Sequence, residues 1–149
     1  MGSSATKYTL HCDERRTVKD SHEMDFTFRL HNAVNQNNFK EARKMIANGA
    51  NVNCINYRGG TPLLETCRSN KLSKVEKDRI SFVRFLIANG SDVNKSDING
   101  WTALLYAEEN GHDKIEKVLE RIEYRRSQIE KRVDEKYILT VSELGIEMF

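Results

Sequence analysis

The chain has 149 residues, 38% of them hydrophobic, enough for one domain with a modest core. Its 24 Lys and Arg nearly balance 22 Asp and Glu, and a net charge of +2 gives no bulk reason to expect specific binding to nucleic acid. No apolar run approaches the roughly 20 residues of a membrane helix, no charged-then-apolar start points to secretion, and three cysteines without metal spacing predict free thiols in a reducing compartment, cytosol or nucleus.

Residues 1–24 carry no sustained period and are rich in Ser, Thr and charge, which predicts a flexible N-terminal segment. Met1 to Thr6 fit the M-G-x-x-x-[ST] pattern of an N-myristoylation acceptor, whose chemistry needs the free α-amine of Gly2. The same Met-Gly-Ser-Ser start is also common in engineered leaders. Membrane association is expected only if Gly2 is acylated. A single myristoyl chain binds weakly, so Cys12 as a second acylation site, or Arg15 and Arg16 as basic support, would have to add to it.

From about Asp25 the chain reads as helical. Phe26, Leu30, Ala33 and Val34 form one apolar stripe and Phe39, Ala42, Met45 and Ile46 a second. Asn48-Gly49 closes this helix pair, because Gly takes the left-handed conformation that stops a helix.

The next two stretches repeat each other. Gly59 and Gly100, Thr61 and Thr102, and Leu63 and Leu104 are each 41 residues apart, as are IANGANVN (46–53) and IANGSDVN (87–94). Leu30 precedes Leu63 by 33. Asn56, Gly59, Thr61, Pro62 and Leu63 in one copy, Asp97, Gly100, Thr102, Leu104, Ala107, Gly111 and His112 in the next, and the closing motifs Gly49–Asn53 and Gly90–Asn94 resemble the ankyrin repeat. The resemblance spans about 28–119. It implies an all-α ankyrin-repeat solenoid of helix pairs with short β-hairpin turns, in three repeats at 25–55, 56–96 and 97–122. The first copy has Phe28-Arg29-Leu30 in place of T-P-L and reads as the N-terminal capping repeat, with Asn37 standing for the usual inter-helix Gly.

In the second copy Gly59-Gly60 supplies a turn and Pro62 starts a helix where a missing amide costs nothing. Leu63, Leu64 and Cys67 are expected to face inward. Eight extra residues near 70–77 stretch the period from 33 to 41. They predict a solvated loop or added helical turn, with a binding element as the alternative, and Lys71, Lys74, Lys77 and Arg79 would make that edge basic. The second helix resumes through Ile80, Val83, Phe85, Leu86 and Ile87. In the third copy Asp97 and Thr102 are placed to bond neighbouring amides. Trp101 is expected either to meet a partner or to pack on Tyr57 or Ile98. Glu108 stands where the family has a small apolar residue, which predicts a tilted helix or an open site.

Beyond His112 the stripe Ile115, Val118, Leu119, Ile122, Ile129 and Val133 predicts a long helix whose first half caps the last repeat. Residues 123–149 are then a C-terminal extension. Its sparse apolar positions can pack back, pair with a second copy (the 113–137 region is the expected homo-oligomer route), or hold a partner helix. Residues 137–149 contain eight large apolar side chains, expected to pack on the body or to serve as a docking peptide.

Catalysis finds little support. His11, His22, His31 and His112 are scattered, His11-Cys12 has no second metal-binding element, and neither a phosphate loop nor a nucleophile elbow is present. No cofactor or metal is expected. The resemblance implies a non-enzymatic protein–protein interaction module or adaptor, binding another protein through its concave surface. The residues it assigns to that surface are Tyr57, Arg58, Arg68 and Ser69 in the second copy and Ile98, Asn99, Trp101, Glu109 and Asn110 in the third. A lipid-tethered adaptor through Gly2 and a structural homo-oligomer through the C-terminal helix are the alternatives.

Overall fold

The structure, a computed structural model, describes residues 18–69 and 73–143. Among these residues six α-helices follow in order: α1 (Val18–Asn35), α2 (Phe39–Ala47), α3 (Pro62–Arg68), α4 (Glu76–Ala88), α5 (Ala103–Glu109) and α6 (Asp113–Glu143), with a 3₁₀ turn at Ser73–Val75. No sheet forms among the described residues; a single antiparallel bridge joins Ser96 and Thr102 at the base of the third hairpin.

The short helices begin where the chain supplies a cap. Thr61 Oγ1 accepts from the Leu64 amide at 3.3 Å and Thr102 Oγ1 from the Leu105 amide at 3.4 Å, satisfying amides that a helix start leaves without partners. Asn38 Oδ1 does the same for the Glu41 amide in α2. Between α1 and α2 the chain reverses through Asn37 at φ 56°, the left-handed region that Asn tolerates better than most residues. Gly59 also has a positive φ, 72°, and a Cβ there would press on Ile98 of the next hairpin, so glycine is required twice over.

The helices form two layers. α1, α3 and α5 pack side by side as the inner layer, and α2, α4 and α6 cover them from outside. One continuous core runs between, with Leu30, Leu63, Leu64, Phe82, Val83, Leu86, Ile115 and Leu119 all but removed from water. Each such side chain contributes about 1.5–3 kcal/mol by leaving water. Phe39 stacks on Phe82 at 4.8 Å between centroids, tying the first outer helix to the second. Outside them Arg43 lies over Phe85 at 4.8 Å and donates to Ser81 Oγ at 2.8 Å.

One expectation is corrected, and two others meet the structure only over part of their length. Of the segment expected to be flexible, 1–24, the described part, Val18–Met24, forms the opening turns of α1. No Gly or Pro interrupts 18–35, so a helix held by Leu30, Ala33 and Val34 propagates backwards at little cost. Arg79, expected on a basic edge, is 1% exposed. The tail 137–149, expected to pack on the body or to serve as a docking peptide, is described only to Glu143, and there Tyr137, Ile138 and Leu139 are exposed turns of α6. Residues 1–17, including Gly2 and Cys12, 70–72 and 144–149 lie outside the described residues.

Candidate functional site: the hairpin tips

Two side chains shape the two hairpins, and they are related by the 41-residue offset. Asn56 Oδ1 accepts from the amides of Arg58 and Gly60, each at 2.9 Å, while its Nδ2 donates to Glu65 Oε1 at 2.8 Å. Asp97 Oδ1 accepts from the amides of Asn99 at 2.9 Å and Trp101 at 3.0 Å, while its Oδ2 accepts from the Tyr106 hydroxyl at 2.6 Å. Each turn is thus wound around one polar side chain and pinned to the helix behind it. Neighbouring hairpins are joined by Ile98 N–H donating to the Arg58 carbonyl at 3.1 Å. At their base Asn53 donates to the Gly90 carbonyl at 3.0 Å and accepts from the Asp92 amide at 2.8 Å.

This frame presents apolar side chains to solvent. Tyr57 is 69% and Ile98 73% exposed at adjacent tips, and the Arg58 guanidinium lies over the Tyr57 ring at 5.1 Å. Asn99 and Glu109 are also exposed. Trp101 is half-buried. It packs on Tyr106, at 5.1 Å between ring centroids.

The other assigned residues hold the frame together. Arg68 is bonded to Glu65. The Ser69 carbonyl accepts from His112 Nε2 at 2.8 Å. Asn110 Nδ2 reaches the carbonyls of Cys67 and Arg68, each at 3.2 Å, and of Tyr106 at 2.9 Å, tying the end of α5 to the end of α3. Leu105, exposed on α5, was missed; its counterpart 41 residues earlier, Leu64, is buried because a further repeat covers it. Glu65 was missed as well. It is 4% exposed, and Asn56 and Arg68 both bond it there.

The electrostatics follow from this packing. Desolvation raises the Asp97 carboxyl, but the bonds from Tyr106, Trp101 and Asn99 and the nearby Arg68 outweigh it and hold it below the usual carboxylate value. Tyr106 is pushed up to about 12 by burial and by the carboxylate it bonds. Burial lowers the His31 imidazole, opposed by the Cys54 backbone and Glu65. Its Nε2 lies 3.6 Å from Cys54 Sγ. Cys67 is pushed up to about 12 by burial, against the opposing pull of Arg79.

Arg79 sits where the inter-helix turns of all three repeats converge. Nη2 donates to Asn37 Oδ1 at 3.3 Å, and Nη1 lies 3.4 Å from His112 Nε2. That nitrogen donates its proton to the Ser69 carbonyl, so it cannot also accept from Arg79; Nε has no partner among the described residues. Burial lowers the guanidinium's pKa.

Glu108 is exposed on α5, which answers the question of tilt or opening in favour of an open site. Its counterpart Cys67 is fully buried against the following repeat. Among the described residues no His, Cys, Asp and Glu cluster could hold a metal ion, and no helix is long and apolar enough to cross a membrane.

Residues 30–128, about two thirds of the chain, match a family model described as ankyrin repeats in three copies. A search of curated proteins finds no match to the chain. Paired helices in two layers, hairpins bonded tip to tip and this match together place the chain in the ankyrin-repeat family, whose repeats serve as protein–protein interaction modules.

Proposed function

We propose that the chain is a non-catalytic binding module that captures a partner protein at its two adjacent hairpin tips. The observation that carries this reading is the exposure of Tyr57 and Ile98 side by side on hairpins that are already rigid. Little ordering entropy remains to be lost there on binding, so apolar contact converts more fully into affinity. Arg58, held over Tyr57, adds a charged anchor of the type that dominates interface energetics. Asn99, Trp101 and Glu109 flank this pair, whereas Arg68, Ser69 and Asn110 act by holding the helices that support it. Buried thiols at Cys54 and Cys67 suit a reducing compartment, cytosol or nucleus.

The test compares proteins captured by the wild-type chain with those captured by a Tyr57→Ala, Arg58→Ala, Ile98→Ala variant. These side chains are exposed, so helical content by circular dichroism should be unchanged while specific partners are lost. Retention of every partner by the folded variant would move the binding surface elsewhere.

A further inference from the structure

We infer that the free half of α6 is the seat for an amphipathic helix from a different protein, not from a second copy of this chain. On a helix advancing about 100° per residue, Ile115, Leu119, Ile122, Ile129, Val133 and Tyr137 fall within one arc of about 80°. The first half of this stripe is occupied: Ile115 and Leu119 are buried against the repeats and Ile122 packs beside them. The same stripe then runs past the edge of the stack, where Ile129, Val133 and Tyr137 are about 60% exposed. A docked helix would meet the stack near Ile122, leaving it about 32 Å of α6, or about 21 residues, to follow.

The edges of the stripe have opposite signs. Arg125, Arg132 and Lys136 line one side, and Glu123, Glu130 and Asp134 the other. Arg126 enters the stripe itself, near the acidic edge, three residues after Glu123 and four before Glu130, where its stem adds apolar cover. Oppositely charged edges select among helix partners.

Self-pairing fails in both directions. In a parallel pair basic would face acidic, but both copies carry their repeats on the stripe at Ile115 and Leu119, so the two stacks would claim the same space. In an antiparallel pair the stacks lie at opposite ends, but basic edge faces basic and acidic faces acidic, which disfavours association. The occupant that remains is a foreign helix with an apolar seam, one acidic edge and one basic edge.

The test uses the full chain and two synthetic 18-residue helical peptides sharing a Leu and Ile seam. One has Glu along one edge and Lys along the other; its control has Gln at both. The chain should sediment as a monomer, and fluorescence anisotropy at low salt should show the charged-edge peptide binding about tenfold tighter than the control. Ile129→Asp with Val133→Asp should abolish binding of both peptides without loss of helix, and Tyr57→Ala with Ile98→Ala should leave it unchanged. Equal affinity for the two peptides, no binding of either, or a dimer of the full chain that Ile129→Asp with Val133→Asp dissolves would each overturn the inference.

Discussion

Tyr106 donates its hydroxyl to Asp97 at 2.6 Å, and one repeat earlier the same two positions carry the same bond with donor and acceptor exchanged, Asn56 giving and Glu65 receiving. Position by position the identities share nothing. What repeats is the pairing: a short polar residue that winds the hairpin and a longer one on the helix that completes its hydrogen bonding.

Breaking either pair should be felt in stability. Tyr106→Phe keeps the ring against Trp101 but removes the donor to a carboxylate, at a cost of about 1–2 kcal/mol in chemical denaturation. Asn56→Asp turns a donor into a second carboxylate facing the buried Glu65 and should cost about 2 kcal/mol or more at pH 7. A variant as stable as wild type at pH 7 would mean that Glu65 turns out to solvent.

Acid should begin to weaken the fold just below neutral pH, through His31. Burial holds the folded His31 below its ordinary 6.5, so the unfolded chain gains the proton first. The stability contributed by neutral His31 is therefore complete above pH 6.5 and is lost progressively as pH falls below it. Melting temperature should decline between pH 7 and 5, and His31→Gln should flatten that slope even where it lowers the starting value. At the alkaline end the sign reverses: Tyr106 is raised to about 12 from 10, so its contribution is full below pH 10 and vanishes towards 12. Tyr106→Phe should lack that alkaline loss.

Arg79 should respond differently to two truncations. Arg79→Met removes a buried cation with poor partners while filling most of its volume, and should leave stability unchanged or raise it by about 1–2 kcal/mol. Arg79→Ala removes the same charge but leaves a void, and should cost about 2–4 kcal/mol. Thermal unfolding of the two variants side by side tests this; equal losses would show that the charge, and not the space it fills, matters.

Asn37 offers a double-mutant cycle with the same residue. Asn37→Gly relieves the left-handed backbone but takes an acceptor from Arg79, so the two effects should nearly cancel in the wild-type chain. In an Arg79→Met background only the backbone gain remains, about 0.4–1 kcal/mol. Chemical denaturation of the four proteins measures the coupling, and a zero value would mean that the 3.3 Å contact carries no energy.

The features written locally in the sequence were legible: the 41-residue offsets, the Thr-Pro helix start and the left-handed turn at Asn37. The buried Arg79 was not, because its environment is assembled from Asn37 and His112, 42 and 33 residues away, and nothing near Arg79 in the chain distinguishes it from the lysines before it. Glu65 escaped notice for the same reason: its burial depends on Asn56 and Arg68 closing over it. Among the residues assigned to binding, the tips Tyr57 and Ile98 could be placed from the repeat register. The inward turn of Asn110 could not, since its carbonyl partners on α3 become neighbours only when the repeats stack.

The charge at Glu108 bears on how such a protein can be enlarged. A fourth unit appended after the third would press its first helix on a carboxylate in a place where Cys67, one repeat earlier, meets its neighbour with a buried thiol. Duplicating the middle unit internally would place the buried thiol of Cys67, and not a carboxylate, at each new contact of this kind. Glu108 thus marks the C-terminal edge of the array as a face built for water, and Glu108→Ala would remove the charge that a further unit would have to bury.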